Sequence, residues 1–332
     1  MLFSRIADPM TAPLSRYRHL IAPLAIALLI VAAGVAIILA RKPGQDGKAA
    51  PAKLSAAQLP PIHGVRDPQA VALIPAGHQF VEPGKLTVAV GASQLPLGDY
   101  AADGVTVIGS DPDIARLVAD SLGLDLNLVV VAWPDWPLGV ESGKYDAALF
   151  NITVTEERKK KYDFSTYRND QLGIYVKTDS PITAIREPKD IAGLRIVVGA
   201  STNQDQILRR WDAQNVAAGL KPVQPQYFDE TVLGRFAVLS GRADATFEPN
   251  ADGAYMARDG KTRLVGLFSG GWPQTAYISV TTRKGSGLAD AITHALNTQI
   301  ADGTYAKVLQ RWNLTAEAIP KSQTNPPGLA AH

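Results

Sequence analysis

The chain has 332 residues, a net charge of +2 and no cysteine. That length holds two domains or lobes, and the near-neutral charge gives no global basic field of the kind nucleic-acid binders carry. Without cysteine there are no disulfides, thiolate metal sites, cysteine nucleophile or lipidated N-terminal cysteine.

Residues 1–19 precede an unbroken apolar run, Leu20 to Ala40, flanked by Arg16, Arg18, Arg41 and Lys42. About 21 such residues cross a bilayer as a helix. Ile38-Leu39-Ala40-Arg41 makes a poor signal-peptidase site, so the run reads as an uncleaved anchor rather than a signal peptide. Basic residues lie on both sides of it and leave its orientation open. Residues 41–83 are rich in Pro, Ala and Gly without a sustained period and read as a flexible tether, with a reach of roughly 35 Å. Val71–Ile74 is a short apolar patch within it, suited to docking on the folded part.

From Lys85 onward, short apolar runs alternate with amphipathic stretches. Strands are predicted at Leu86–Val90, Leu126–Val131, Asp146–Phe150, Gly173–Val176, Leu194–Val198, Ala243–Phe247 and Ala276–Thr281. Helices are predicted at Asp111–Ser121, Glu156–Lys161, Asn203–Trp211, Thr231–Ser240, Leu288–Asp302 and Tyr305–Trp312. The alternation predicts an α/β fold with mainly parallel sheets, and such sheets bind ligands beyond the carboxyl ends of their strands.

Residues at those strand ends are therefore the site candidates. Asn151, Thr153 and Arg158 follow Asp146–Phe150, with Thr155 placed to cap a helix whose first turn carries Arg158. A cap, free N–H groups and a guanidinium fork suit a carboxylate, although Thr-x-x-Arg alone also opens many solvated helices. Ser201 and Thr202 lie in a small-hydroxyl run that opens the next helix, and Glu248-Pro249 follows Ala243–Phe247. Together these groups suit a zwitterion, with Arg158 for its carboxylate and Glu248 for its ammonium. Trp133, Trp136 and Trp272 lie in proline-flanked loops, as core residues or as an aromatic pocket wall. His63, His78 and His294 are scattered and His332 is terminal, so no metal spacing appears. No cofactor is expected.

Several segments in this order resemble the family-3 solute-binding proteins, the polar amino-acid-binding periplasmic proteins of bacterial ABC importers. They are GSDPDIARLVADSLGL at 109–124, SGKYDAALFNITVTEERKKKYDFSTY at 142–167, IAGLRIVVGASTNQ at 191–204, LSGRADATFE at 239–248 and the closing ADGTYAKVLQRW at 301–312. The resemblance implies a two-lobe clamshell of type II on an N-terminal transmembrane helix. Lobe one would comprise 84–176 and 276–320, lobe two 177–275, and residues 321–332 a tail. The hinge would lie near Lys177–Ser180 and Trp272–Thr275. By the same resemblance Arg158 grips a ligand α-carboxylate, helped by Thr153, Asn151 and the Ser201-Thr202 turn.

Two positions depart from the family pattern. Gln94-Leu95-Pro96-Leu97 replaces an aromatic turn that stacks on the ligand, leaving Trp133 or Trp136 to supply that wall. Pro249 stands where the acidic partner of the amine usually lies, so Glu248, Asn250 or Asp252 would replace it. The implied protein is a non-enzymatic receptor for a small carboxylate-bearing solute, such as an amino acid, that delivers it to an inner-membrane ABC permease. It would be a single-pass inner-membrane protein with residues 1–19 inside and the clamshell in the periplasm. A sensor subunit and a dehydratase-type enzyme on the same fold are the alternatives.

Overall fold

A computed structural model describes residues 53–228 and 231–330. The predicted anchor at 20–40 lies outside the described residues, and no described helix is long and apolar enough to cross a membrane. In chain order come α1 (Pro68–Ala72), β1 (Lys85–Val90), β2 (Asp99–Tyr100), β3 (Val107–Ile108), α2 (Ser110–Leu122), β4 (Asp125–Val130) and α3 (Trp136–Glu141). Next are β5 (Ala147–Thr153), β6 (Tyr162–Asn169), β7 (Gln171–Lys177), β8 (Arg195–Val197), α4 (Asn203–Ala217), β9 (Gln224–Gln226), α5 (Thr231–Leu239) and β10 (Ala245–Pro249). The chain closes with α6 (Asn250–Ala257), β11 (Thr262–Ser269), β12 (Tyr277–Arg283), α7 (Leu288–Ala301) and α8 (Thr304–Arg311).

Two five-stranded sheets organise these elements, in the orders β4-β1-β5-β12-β6 and β11-β7-β10-β8-β9. Each is the centre of a lobe. In lobe one, buried Ile114, Leu117 and Val118 of α2 and Ile292 and Leu296 of α7 pack with Val88, Val90 and Leu149. A second cluster joins Trp136 and Val140 of α3 to Ala148, Ile152 and Phe164. In lobe two, Ile207, Leu208 and Trp211 of α4 pack on Ile174, Val176, Ile196 and Phe247. Burying such apolar faces on a sheet is the main favourable term in forming each lobe.

The sheets are mixed rather than mainly parallel. β1 runs parallel to β4 and β5, but β12 is antiparallel to β5 and β6, and β7 is antiparallel to β10 and β11. The reason is connectivity. The chain leaves lobe one along β6 and returns along β12, so these strands adjoin the hinge and run against each other. The first crossing also differs from the expected place. β7, counted above with lobe one, pairs along Leu172–Val176 with β10 of the second sheet. The chain therefore crosses at Asp170, between β6 and β7, and recrosses through Gly270–Ala276.

The tether expectation fails from residue 53 onward. Leu54, Leu59, Ile62, Ile74 and Phe80 pack against the lobe-one core. Asp67 is buried at the start of α1, where its carboxylate accepts from Gln69 N at 2.9 Å and Ala70 N at 3.2 Å. Its other oxygen accepts from Thr298 Oγ1 at 2.5 Å and lies 2.9 Å from His294 Nδ1. Richness in Pro, Ala and Gly without a period suggested a loose linker, yet its scattered apolar residues pack against the lobe-one core.

The tail is likewise packed. Asn325 N donates to Phe164 O and Gln323 exchanges hydrogen bonds with Thr166, which covers the edge of β6. Leu329 then bridges to Thr155 beside the expected carboxylate site.

Asp67→Ala removes both a helix cap and an anchor to α7. It is expected to lower the unfolding free energy of the full chain by about 2 kcal/mol in urea denaturation. A change within 0.5 kcal/mol would return residues 54–80 to the status of a tether.

Candidate functional site

The loops after β1, β4, β5, β8 and β10 converge between the lobes on a cleft of about 690 Å³. Asp170 sits at the crossing and is almost fully buried. Thr153 Oγ1, at the end of β5, donates to Asp170 Oδ2 at 2.7 Å, and the Thr153 carbonyl accepts from Arg158 Nη1 at 2.9 Å. The hinge carboxylate thus fixes Thr153, which in turn fixes the guanidinium. Gly270 of the return crossing lies so close that a Cβ there would meet Asp170 Cγ at 2.1 Å, so only glycine fits without a shift.

The helix predicted at Glu156–Lys161 is a single 3₁₀ turn, Arg158–Lys160. Thr155 Oγ1 accepts from Arg158 N at 3.1 Å, but no α-helix follows to set up a dipole. The anion-binding power of this turn lies in the guanidinium itself. Arg158 has no carboxylate within ion-pair distance among the described residues. Its Cζ lies 5.6 Å from the Trp133 ring centroid and 5.8 Å from that of Trp136. Desolvation lowers its pKa to about 10, opposed by the charge of Asp170, and the group stays cationic at neutral pH. An unpaired, partly desolvated guanidinium facing a cleft is a strong binder of carboxylate.

Lobe one carries a second charged layer beneath this one. Asn151 adopts a left-handed backbone with φ of 50°, which asparagine tolerates, and its N–H donates to Asp111 Oδ2 at 3.1 Å. Tyr167 donates to Asp111 Oδ1 at 2.7 Å. Arg168 bridges the Asn151 side-chain oxygen and Glu317, which seats the residues after α8 against the site. Burial works against the Arg168 charge, but Glu317, Tyr167 and Asp111 raise its pKa above the ordinary range.

Lobe two supplies the N-terminus of α4. Thr202 caps it, accepting from Asp205 N at 3.2 Å and donating to Gly199 O at 2.7 Å. Gly199, Ala200, Thr202, Asn203 and Gln204 line the cleft. Asp252 in the first turn of α6 lines it too, and its Oδ1 is buried without a partner among the described residues. Desolvation, then the nearby Glu248, push the Asp252 pKa well above the usual carboxylate range. A ligand ammonium at this carboxylate would relieve both effects.

Of the sequence candidates, Asn151, Thr153, Arg158, Thr202 and Trp133 line the cleft. Ser201 does not: it is exposed, and its left-handed backbone, φ 59°, turns the chain into α4. Glu248 lies off the main cleft, in a smaller chamber behind it. Sequence reasoning did not single out Phe150, which lines the cleft edge-to-face with Trp133, ring centroids 5.4 Å apart. The available signal was Gly91, where a Cβ would meet Phe150 Cε2 at 2.1 Å.

A family model described as bacterial extracellular solute-binding proteins, family 3, matches residues 86–315. The chain belongs to that family. L-cystine-binding protein TcyJ of Escherichia coli (strain K12) is 27% identical over 234 residues, covering 70% of this chain and 83% of the relative. An ancestral arginine-binding protein solved with arginine superimposes with a TM-score of 0.61 at 28% identity, covering 69% of this chain and 98% of that one. The ancestral amino acid-binding protein AncCDT-1, described as a precursor of cyclohexadienyl dehydratase, gives 0.60 at 26% identity, covering 69% and 95%. The fold is thus that of the two-lobe binding proteins, and the named relatives are binding proteins rather than enzymes. Trp133 and Phe150 place aromatic rings in the cleft lining, where the Gln94–Leu97 turn has none.

Burial raises the Asp170 pKa from 3.8 to about 6, against the pull of Thr153 and Arg168. The native state therefore binds this proton more tightly than the unfolded chain, and ionising Asp170 opposes folding. Stability contributed by the protonated group is lost as pH climbs from about 4 to about 6 and then levels off. Asp170→Asn keeps an acceptor for Thr153. Its stability relative to wild type should rise by about 2–3 kcal/mol across that window, read from urea melts at stepped pH. A gap independent of pH would contradict the buried ionisable hinge.

Proposed function

We propose that this protein is the membrane-anchored, extracytoplasmic receptor of an ABC importer and that it binds an amino acid between its lobes. The observation that carries the reading is Arg158, a guanidinium without a carboxylate partner in the cleft, held by Thr153 and the two tryptophans. The ligand carboxylate pairs with it and with N–H groups of the Thr202–Gln204 turn. Asp252, rather than Glu248, takes the ammonium, because Asp252 lines the main cleft, whereas Glu248 lies in the chamber behind it. Relatives named for cystine and arginine support an amino-acid ligand. A ligand touching both lobes favours closure, and the closed form is what an inner-membrane permease reads.

Thermal-shift screening of the purified protein against the common amino acids should give one stabilising class, since a ligand at 100 times its dissociation constant adds about 2.7 kcal/mol. Arg158→Ala is expected to weaken that ligand at least 100-fold by calorimetry. Asp252→Asn should cost about tenfold, and less for the corresponding 2-oxo acid. Retained affinity in Arg158→Ala would remove the assignment, and turnover of prephenate by the wild type would replace it with the dehydratase reading.

Residues 20–40 serve as the uncleaved anchor in this proposal. The full-length protein should fractionate with the inner membrane, and a form lacking residues 1–40, exported on a cleavable leader, should appear in the soluble periplasmic fraction. Finding the full-length form soluble as well would refute the anchor.

A further inference from the structure

Behind Asp252 the cleft opens into a chamber of about 150 Å³ within lobe two. Its lining includes Glu248 of β10, Arg235 of α5, Val197, Phe228 and Tyr175, and it is reached from lobe one by Gln94. Gln94 and Asp252 line both spaces, so the chamber continues the cleft rather than standing apart from it.

The polar groups in this chamber are unevenly satisfied. Gln94 is 7% exposed, and its Nε2 is buried without a partner among the described residues. Arg235 uses Nη2 to reach Met256 O at 3.2 Å and Asp259 Oδ2 at 2.8 Å, while its Nη1 is buried with none among them. Glu248 accepts from Thr246 Oγ1 through Oε1, and its second oxygen has no partner among the described residues. The three residues that carry these two orphan donors and the free carboxylate oxygen all line a single enclosure. A structure that buries such groups needs something to pair them.

The identity of that partner follows from the donor count. A guanidinium or ammonium tip would give Glu248 a donor but set more N–H groups against Gln94 Nε2 and Arg235 Nη1. A lone carboxylate tip would satisfy those two donors but meet Glu248 charge to charge. An apolar tip would leave all three unpaired. Only a tip that both donates and accepts fits.

We propose that the chamber binds the far end of the ligand, and that this end is a net-neutral group offering both a hydrogen-bond donor and an acceptor oxygen. Such a tip is a carboxamide or ureido group, or a second amino-acid terminus. The proposal rests on the amino-acid-receptor reading above and narrows it to long ligands with a polar, neutral distal end. Gln94 then acts as a contact across the lobes, since it comes from the loop after β1 and closes a chamber built by lobe two.

Calorimetry on the full-length protein in detergent tests this with citrulline, arginine, diaminopimelate and alanine. Citrulline and arginine share a shape but differ in charge and in the acceptor oxygen. The expected result is that citrulline or diaminopimelate binds at least tenfold more tightly than both arginine and alanine. Citrulline ahead of diaminopimelate assigns a ureido or amide tip, and the reverse order assigns a second amino-acid terminus. Arginine binding as tightly as the better of the two, or alanine matching it, overturns the proposal while leaving the receptor reading intact. Absence of binding by every α-amino acid overturns both.

Glu248→Gln adds a readout that a merely structural role would not move. It removes the charge that repels an acidic tip, so affinity for glutamate relative to glutamine should rise at least tenfold. An unmoved ratio in a variant with a wild-type melting temperature overturns the role of Glu248.

Discussion

The carboxylate of Asp170 is the point on which the site is built. It lies where the chain first crosses between lobes, and its backbone ties the return crossing to it. Asp170 N donates to Ala276 O at 2.9 Å, and Gly270 N donates to Asp170 O at 2.8 Å. Its side chain holds Thr153, whose carbonyl holds Arg158. Asn203, the first residue of α4, donates its side-chain N–H to Gly270 O, so the lobe-two turn is referenced to the same node. One buried acid thereby sets the relative positions of the guanidinium in lobe one and the backbone donors in lobe two. A water-exposed hinge would leave each of these bonds in competition with solvent, whereas a buried one keeps them few and directional.

Burial also shifts the titration of the interior acids. Asp111, Asp170, Glu248 and Asp252 all have raised pKa values, each with desolvation as the first cause. Those with internal donors, such as Asp111 with Tyr167 and the Asn151 N–H, organise the lobe. Asp252, which lines the cleft, has a buried oxygen without a donor among the described residues. In the proposed receptor, the charges assigned to the ligand are carboxylates and a guanidinium that lack an internal ion-pair partner among the described residues. Arg168 is ion-paired with Glu317, whereas Arg158 has no carboxylate within ion-pair distance among the described residues.

Much of this plan was legible in the chain. The strand ends that carry Asn151, Thr153, Arg158 and Thr202 were readable because apolar runs end there and small polar residues begin. The rest depended on tertiary placement. β6 is a fully formed strand, yet Tyr162-Asp163-Phe164-Ser165 shows a charged residue among apolar ones, and Asp163 is accommodated only by Lys284, Gly285 and Asn325 from far along the chain. The crossing at Asp170 could not be read because β6 and β7 form one almost continuous extended stretch, and only pairing partners reveal the break. Phe150 and Gln94 were passed over for a related reason. Their role comes from what stands opposite them, and no local periodicity encodes that.

The distribution of contacts also sets how closure can work in the proposed receptor. Moving a two-state equilibrium from 1:99 to 99:1 takes about 5.5 kcal/mol of preference for one state. Contacts confined to lobe one, however strong, contribute nothing to that difference, because they exist in the open form as well. Arg158, Thr153, Asn151 and Trp133 all belong to lobe one. The closing force must therefore come from lobe two, from the Thr202–Gln204 turn, from Asp252 and from the chamber behind it. At about 1.5–3 kcal/mol for each hydrogen bond to a charged group, roughly two to four such contacts are enough. Arg158 would then govern how tightly a ligand is captured, while lobe two would govern which captured ligands close the receptor. On that proposal, a group as deep as Glu248 would bear on selectivity despite its distance from the first point of capture.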